Sequence, residues 1–347
     1  MKIVSYIGMF ALVVGALAVS AGAQSGSNCG GLGNMGAGWN PDTNPPDSPY
    51  YNCFYAGAGE PGWAGPSWFC YKRTNCPPPT VVCLSCLAAA GSVGHPISLA
   101  TGDTYIEEND VKIPGIGGGL NLNRTWNSIL PSVQGSAQSG VFGANWRSTF
   151  EERVFISGDG YMMYSRSDGS FWAFYYSGTP GWNIAAPANV SASLVQGTST
   201  WTLTFQNGEK KLFDVNSGNL TGIVDRNGNT TQISYDATGR LVTVTDPASR
   251  HIYFGYQNNT STLVTSVTSD IGIALSYAYD SQGRLTQVTK PDLTTISFQY
   301  NSQSLITSVL DSNGVVLESH TYDSYGRGLT SSRAGGVDAV TVSYPNH

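Results

Sequence analysis

Charged side chains are scarce in this sequence, because Asp, Glu, Lys and Arg together make up only 12% of its 347 residues. The 17 Lys and Arg residues are outnumbered by 23 Asp and Glu residues, which gives a formal net charge of −6 at pH 7. A chain with no excess of positive charge does not form the basic face that binds phosphate backbones. We therefore expect no nucleic-acid partner.

The motifs of common enzyme classes are also missing. The sequence contains no G-x-S-x-G nucleophile elbow, no H-E-x-x-H zinc motif and no P-loop. The adjacent acidic residues Glu107-Glu108 and Glu151-Glu152 would point to opposite faces of a strand, so neither pair can flank a substrate by itself. No His lies beside a Cys or at metal spacing from another His. We predict a protein that is not an enzyme and has no catalytic residue, cofactor or metal.

Helical periodicity is absent after the N-terminus.

Residues 1–23 have the features of a signal peptide, with Lys2 before an apolar run and Ala21-Gly22-Ala23 as the cleavage signal. A membrane anchor is the less favoured alternative, because the run is short and no charged stop follows it. We predict export to the cell envelope or the medium, with no membrane span after signal cleavage.

Cysteine is absent after residue 86, and the segment 24–94 is instead rich in Cys, Gly, Pro and aromatic residues. The six disulfide candidates are Cys29, Cys53, Cys70, Cys76, Cys83 and Cys86. An even count in an exported segment predicts up to three disulfides, with 15 possible connectivities. Zinc is less favoured, because only Cys83 and Cys86 have paired spacing. The aromatic residues could bind a glycan, but packing on the disulfides is the favoured alternative.

The rest of the chain repeats one motif, Tyr-Asp-x-x-Gly-Arg, with a period near 22 residues. The three complete copies are Tyr235, Asp236, Gly239 and Arg240; Tyr279, Asp280, Gly283 and Arg284; and Tyr322, Asp323, Gly326 and Arg327. Weaker copies begin at Phe213, Tyr256 and Tyr300. A fixed period over half of the chain is typical of a repeat architecture.

Each period is predicted to be a β-hairpin. The Asp carboxylate can bond to backbone amides at the start of a turn, and the Gly supplies the positive φ that such loops need. A second turn about ten residues later leaves two strands of roughly 6–8 residues. The returning strands alternate, and the trios Thr231, Ile233, Tyr235 and Ile252, Phe254, Tyr256 each share a face. In the outgoing strands, Leu241 and Val244 lie three residues apart, which predicts a β-bulge.

These motifs resemble the Rhs/YD-repeat family, which includes the teneurins. Residues 95–128 resemble the DUF6531-like domain that precedes the repeats in Rhs proteins, with Thr101-Gly102, Pro114-Gly115 and Leu122-x-Arg124-x-Trp126-Asn127-Ser128. The resemblance covers residues 95–347. It implies a long β-sheet strip that spirals into a hollow shell. The members of the family that release toxins have more repeats, catalytic aspartates for self-cleavage and a C-terminal toxin.

The predicted fold class is all-β, with antiparallel hairpin repeats in a curved sheet and a small disulfide-rich N-terminal segment. The expected divisions are a signal peptide (1–23), a Cys-rich segment (24–94), a capping β domain (95–200) and the repeat array (201–347). We predict a structural or interaction protein whose β-sheet is presented to another repeat-containing chain, an extracellular protein or a cell-envelope glycan. The alternatives are the N-terminal remnant of a toxin-delivery protein, or a carbohydrate-binding or carbohydrate-active protein that uses the aromatic residues of 39–68 or 161–182.

Overall fold

The structure is a computed structural model that describes residues 51–56, 67–72, 92–94, 96–131, 133, 139–157, 160–176, 181–187 and 189–344, the first two ranges for their backbone only. The predicted signal peptide and Cys29, Cys76, Cys83 and Cys86 lie outside these residues. The described residues include two short 3-10 helices, at Ile116–Gly118 and Ala334–Gly336. No helix in the described ranges has the length and apolar character needed to cross a membrane.

The first nine strands form four small antiparallel sheets. They are β1 (Tyr51–Ala56), β2 (Ser67–Lys72), β3 (Ser92–Val93), β4 (Ile97–Ser98), β5 (Tyr105–Ile113), β6 (Leu120–Asn127), β7 (Ser139–Gly140), β8 (Gly143–Ala144) and β9 (Trp146–Ser148). Strands β1 and β2, β3 and β4, and β7 and β8 pair as hairpins, and β5, β6 and β9 form a three-stranded sheet.

All following strands belong to one antiparallel sheet of 19 strands in strict sequence order. They are β10 (Arg153–Ile156), β11 (Met162–Ser165), β12 (Phe171–Tyr176), β13 (Trp182–Ala186), β14 (Ala192–Gln196), β15 (Thr200–Phe205), β16 (Lys210–Asp214), β17 (Leu220–Val224), β18 (Thr230–Tyr235), β19 (Leu241–Thr245), β20 (His251–Tyr256), β21 (Val264–Ser269), β22 (Ala274–Tyr279), β23 (Leu285–Thr289), β24 (Thr295–Tyr300), β25 (Ile306–Leu310), β26 (Val316–Tyr322), β27 (Gly328–Arg333) and β28 (Val340–Thr341). The sheet is open, with β10 and β28 at its two ends. The predicted all-β, antiparallel class is confirmed.

The predicted hairpins and their bulges are confirmed in the array. Tyr235 pairs with Leu241 while its neighbour Ser234 pairs with Thr243, so Val242 is an extra residue in β19. The same register shift recurs just before Tyr256, Tyr279, Tyr300 and Tyr322. A bulge at the same place in every repeat adds local twist, which suits a curved strip.

The alternating residues of the returning strands face one side of the sheet. Ile252, Phe254, Leu275 and Tyr277 are each at most 5% exposed. At the corresponding position of β26, His320 is 2% exposed, so a polar side chain continues the column that apolar residues fill elsewhere.

The segment from β5 to β9 packs against the buried face of the 19-stranded sheet. Its aromatic side chains contact the array at widely spaced repeats, and the ring centroids of Phe142 and Tyr277 are 4.9 Å apart. Trp146 lies 5.3 Å from Phe298 in the same way. One continuous core therefore joins this segment to the inner face of the sheet.

Strands β10–β14 belong to the same sheet as the array, and β14 pairs with β15. The expected division after residue 200 falls inside β15 (Thr200–Phe205), whose residues Trp201–Phe205 pair with Ala192–Gln196 of β14. The division marks a change in sequence pattern, and the backbone pairing continues across it. Asp168 and Gly169 lie in the turn of the hairpin that β11 and β12 form.

Candidate functional site

The tyrosines of successive repeats form a ladder of hydrogen bonds. Each hydroxyl donates to a backbone carbonyl 15 or 16 residues earlier, in the outgoing strand of the preceding repeat. The pairs are Tyr235 to Leu220 (2.8 Å), Tyr256 to Leu241 (2.8 Å), Tyr279 to Val264 (2.7 Å), Tyr300 to Leu285 (2.7 Å), Tyr322 to Ile306 (2.6 Å) and Tyr344 to Gly328 (2.8 Å). Burial raises the pKa of Tyr300 to about 12, so the hydroxyl keeps its donor proton at neutral pH.

The motif aspartates organise the hairpin loops. Asp236 Oδ1 accepts hydrogen bonds from the Thr238 hydroxyl (2.6 Å) and from the backbone N–H of Thr238 (2.9 Å) and Arg240 (3.0 Å), and its Oδ2 accepts one from Arg240 Nε (2.8 Å). The Thr238 and Arg240 donors together lower the pKa of Asp236. Asp280 and Asp323 make the same backbone and Arg contacts. These carboxylates are fully engaged within their own loops.

The motif glycines take the left-handed conformation that these loops require. The φ angles of Gly239, Gly283 and Gly326 are +82°, +73° and +80°. A side chain in this region is strained, which explains why Gly stands at this place in the complete copies.

Each motif arginine connects its own loop to the next repeat. Arg240 Cζ lies 4.6 Å from the ring centroid of Tyr256. The corresponding distances are 4.9 Å from Arg284 to Tyr300 and 4.1 Å from Arg327 to Tyr344. A guanidinium over an aromatic face is attracted by the ring quadrupole, and the attraction is worth about 0.5–1 kcal/mol at exposed sites.

Arg240 also connects a complete copy to the weaker copy that follows it. Its Nη1 donates to the backbone carbonyls of Asn258 (2.9 Å) and Ser261 (3.0 Å), which belong to the loop of the following weaker copy. Arg284 reaches Ser304 in the next weaker loop, although at 3.5 Å. An arginine from one repeat thus supports a loop that has no arginine of its own. The sequence pattern gave no signal for this contact.

A buried ionic cluster joins the segment from β5 to β9 to the array. Asp110 pairs with Arg124 through both carboxylate oxygens and also accepts a hydrogen bond from the Tyr277 hydroxyl (2.7 Å). Both charged side chains are 1% exposed. Arg124 Cζ lies 4.6 Å from the Trp146 ring. Burial would lower the pKa of Arg124, but Asp110 raises it above its ordinary value, so Arg124 stays charged.

The remaining candidate residues do not assemble into a reactive site within the described ranges. No group of three or more His, Cys, Asp or Glu side chains there is placed to hold a metal ion. In the 161–182 aromatic stretch, Trp172 and Trp182 are each 6% exposed and pack in the core. Of the six cysteines, Cys53 lies in β1 and Cys70 in β2. The motif residues described above therefore connect neighbouring repeats.

Two known families match parts of this chain. The family described as "Domain of unknown function (DUF6531)" matches residues 94–174, and the "RHS Repeat" matches residues 216–251 and 259–295. These regions of the chain match the Rhs/YD-repeat family, with a DUF6531 domain ahead of the repeats. The resemblance noted from the Tyr-Asp-x-x-Gly-Arg motif is confirmed, and the Rhs repeats are the hairpins that the tyrosine ladder connects.

Several named proteins are similar to part of this chain. The tRNA nuclease WapA of Bacillus subtilis (strain 168) is 30% identical over 142 residues, which cover 41% of this chain and 6% of the relative. The tRNA3(Ser)-specific nuclease WapA of Bacillus spizizenii matches to the same extent. The chain therefore spans only a small part of the length of these curated relatives.

Among solved structures, the TcdB2-TccC3-Cdc42 crystal structure is similar, with a TM-score of 0.28 and 15% identity over 54% of this chain and 12% of that chain. The Tc holotoxin pore of Photorhabdus luminescens gives a TM-score of 0.24 and 11% identity over 63% of this chain and 14% of that chain.

Proposed function

We propose that this Rhs-type protein is an exported, non-enzymatic structural protein whose curved sheet is extended by a strand from a repeat-containing partner chain. The observation that carries the proposal is the open end of the sheet at β28. On the side of β27, the contacts that connect neighbouring repeats are present, since Tyr344 donates to the Gly328 carbonyl and Arg327 lies over the Tyr344 ring. On the other side, no described strand pairs with β28.

The backbone of β28 offers hydrogen-bonding groups to such a partner. Val342 N–H donates to the Leu329 carbonyl, and Thr341 lies opposite Thr330. Because hydrogen-bonded and non-hydrogen-bonded pairs alternate along an antiparallel ladder, the N–H and C=O of Thr341 point away from β27. An unpaired strand edge of this kind accepts another strand.

Two further observations support the proposal, one for the structural role and one for export. The motif aspartates and arginines are all engaged within loops or between neighbouring repeats, which leaves them to hold the sheet together. Residues 1–23 carry a signal-peptide pattern, and Rhs-repeat proteins are typically secreted or attached to the cell envelope.

The test compares strand addition in edge variants of the full-length chain. The protein is mixed with repeat-containing chains from the same genome and is analysed by gel filtration and chemical crosslinking. Thr341→Pro removes the outward N–H without touching the bond from Val342 to Leu329, and Thr341→Val keeps it. We expect the wild type and Thr341→Val to form a heavier crosslinked species and Thr341→Pro to lose it at least about tenfold, which corresponds to about 1.4 kcal/mol. A strictly monomeric wild type under all conditions would contradict the proposal.

A second candidate function is that the chain forms the first part of a toxin-delivery protein. The similarity to proteins named as tRNA nucleases favours it, although only 6% of their length is matched. The distinguishing observation is the DNA that follows the coding region. Further Tyr-Asp repeats in the same direction would support a delivery protein, and an unrelated gene would count against it.

A further inference from the structure

We propose that Cys53 and Cys70 are joined by a disulfide that closes the hairpin formed by β1 and β2. The two strands are antiparallel, and their register places Cys53 directly opposite Cys70. Residues 54–69 form the part of the chain that this bond would enclose. The inference uses backbone register alone, since the spacing of cysteines along the sequence leaves all connectivities open.

The geometry of an antiparallel pair suits a disulfide at this place. Directly opposed residues have Cα atoms about 5.5 Å apart in a hydrogen-bonded pair and about 4.5 Å apart in a non-hydrogen-bonded pair. Disulfides span Cα separations of about 4.4–6.8 Å. Either type of pair therefore brings the two residues within reach without movement of the backbone.

The pairing also narrows the disulfide pattern of the whole Cys-rich segment. With six cysteines there are 15 possible connectivities, and fixing one pair leaves four cysteines with three. The hairpin is not isolated from the sheet, because β1 lies beside β12. In β12, Phe171 is 3% exposed and Ala173 is 0% exposed. A closed hairpin would hold its two strands together at this surface.

The bond forms by exchange with an oxidant of the disulfide class, such as oxidised glutathione. The thiolate of one cysteine attacks the oxidant and releases one glutathione, and the second thiolate then attacks the mixed disulfide and releases another. Two cysteine thiols are oxidised, one glutathione disulfide is reduced, and the two protons go to the released thiols. In the cell this step depends on the export proposed above, but it can be carried out on the purified protein without it.

The direct test maps the disulfides of the full-length protein after oxidation in a glutathione buffer. Free thiols are alkylated, and chymotrypsin is used because Phe54, Trp63 and Trp68 separate the two cysteines onto different peptides. We expect the Cys53 and Cys70 peptides to be joined and to be released on reduction. A Cys53 peptide that is alkylated, or joined to a peptide carrying another cysteine, would overturn the proposal.

A thiol count in paired variants provides an independent test. The double variant Cys53→Ser/Cys70→Ser should show no more free thiols than the wild type, because it removes a complete pair. The single variant Cys53→Ser should show one more, because it leaves Cys70 without its partner. A double variant with more free thiols than the wild type would refute the pairing, and the peptide map of the wild type decides the question even if a variant fails to fold. Loss of strand addition at β28 leaves both measurements unaffected, so the two proposals fail separately.

Discussion

Replacing Asp103 by Asn should make the stability of this protein less sensitive to pH. Asp103 is 1% exposed, and its Oδ1 accepts hydrogen bonds from the Ser128 hydroxyl (3.1 Å) and the Ile129 N–H (2.8 Å). Its Oδ2 is buried and has no hydrogen-bond partner among the described residues. Burial raises the pKa of Asp103 from 3.8 to about 7. Asn keeps the accepting oxygen and carries no charge at any pH.

The size and sign of the effect follow from the raised pKa. A carboxyl group with a higher pKa in the folded state contributes stability that is fully present below pH 3.8 and is lost as the pH rises to about 7. The interval between 3.8 and about 7, at about 1.4 kcal/mol per pH unit, corresponds to a loss of about 4 kcal/mol. Burial also raises the pKa of Glu108 and Glu151, but both variants share these groups, so the difference isolates Asp103.

The assay is urea unfolding followed by tryptophan fluorescence, from pH 4 to pH 8, on the wild type and Asp103→Asn. The free energy of unfolding of the variant relative to the wild type should increase by up to about 4 kcal/mol over this range and then level off. Asp292→Asn is a control whose effect on stability should have the opposite sign. The hydroxyl of Thr294 lowers the pKa of Asp292, so removing the Asp292 carboxylate should reduce stability at neutral pH. A difference between wild type and Asp103→Asn that stays flat with pH, or falls, would refute the reasoning.

Two further predictions concern a turn and the buried ion pair. Leu293 has φ +67° and is 81% exposed, and Gly314 occupies the equivalent turn position two strands later. Because a side chain is strained at positive φ, Leu293→Gly should stabilise the protein by about 0.5–1 kcal/mol in urea unfolding. Gly314→Ala, which meets no atom within 4 Å, should destabilise it through backbone strain alone, and equal effects of both changes would contradict this. Arg124→Met should cost about 3–5 kcal/mol in the same assay, because it leaves the Asp110 charge buried and unpaired. Adding Asp110→Asn to that variant should recover part of the loss, and a double variant less stable than Arg124→Met would show that the two charges are not a pair.

The periodic part of the fold could be predicted because its information is local. The spacing of Tyr235, Asp236 and Gly239 determines a hairpin loop within a few residues, and the three-residue step from Leu241 to Val244 reveals the bulge in β19. Side-chain alternation in β20 places Phe254 on the buried face. These features depend on φ preferences and on period-two geometry, which the sequence expresses directly.

The contacts between distant segments could not be predicted in the same way. Tyr277 and Asp110 are 167 residues apart, and nothing in either local pattern indicates that they meet. The same holds for the packing of β5–β9 on the sheet, since an apolar residue indicates burial but does not indicate which segment it packs against. Tyr344 continues the 22-residue period from Tyr322, and that spacing was the available signal for its place in the ladder.

The central claim is that each tyrosine of the column joins two repeats through its hydroxyl, and one strand contains both a test and its control. Tyr256 donates to the Leu241 carbonyl, while Tyr253, in the same strand β20, is on the other face and is 42% exposed. Removing the Tyr256 hydroxyl leaves a buried carbonyl without its donor, at a cost of about 1–3 kcal/mol. We predict that Tyr256→Phe lowers the free energy of unfolding by this amount and that Tyr253→Phe changes it by less than about 0.5 kcal/mol. Equal effects of the two substitutions, or no effect of Tyr256→Phe, would contradict the account.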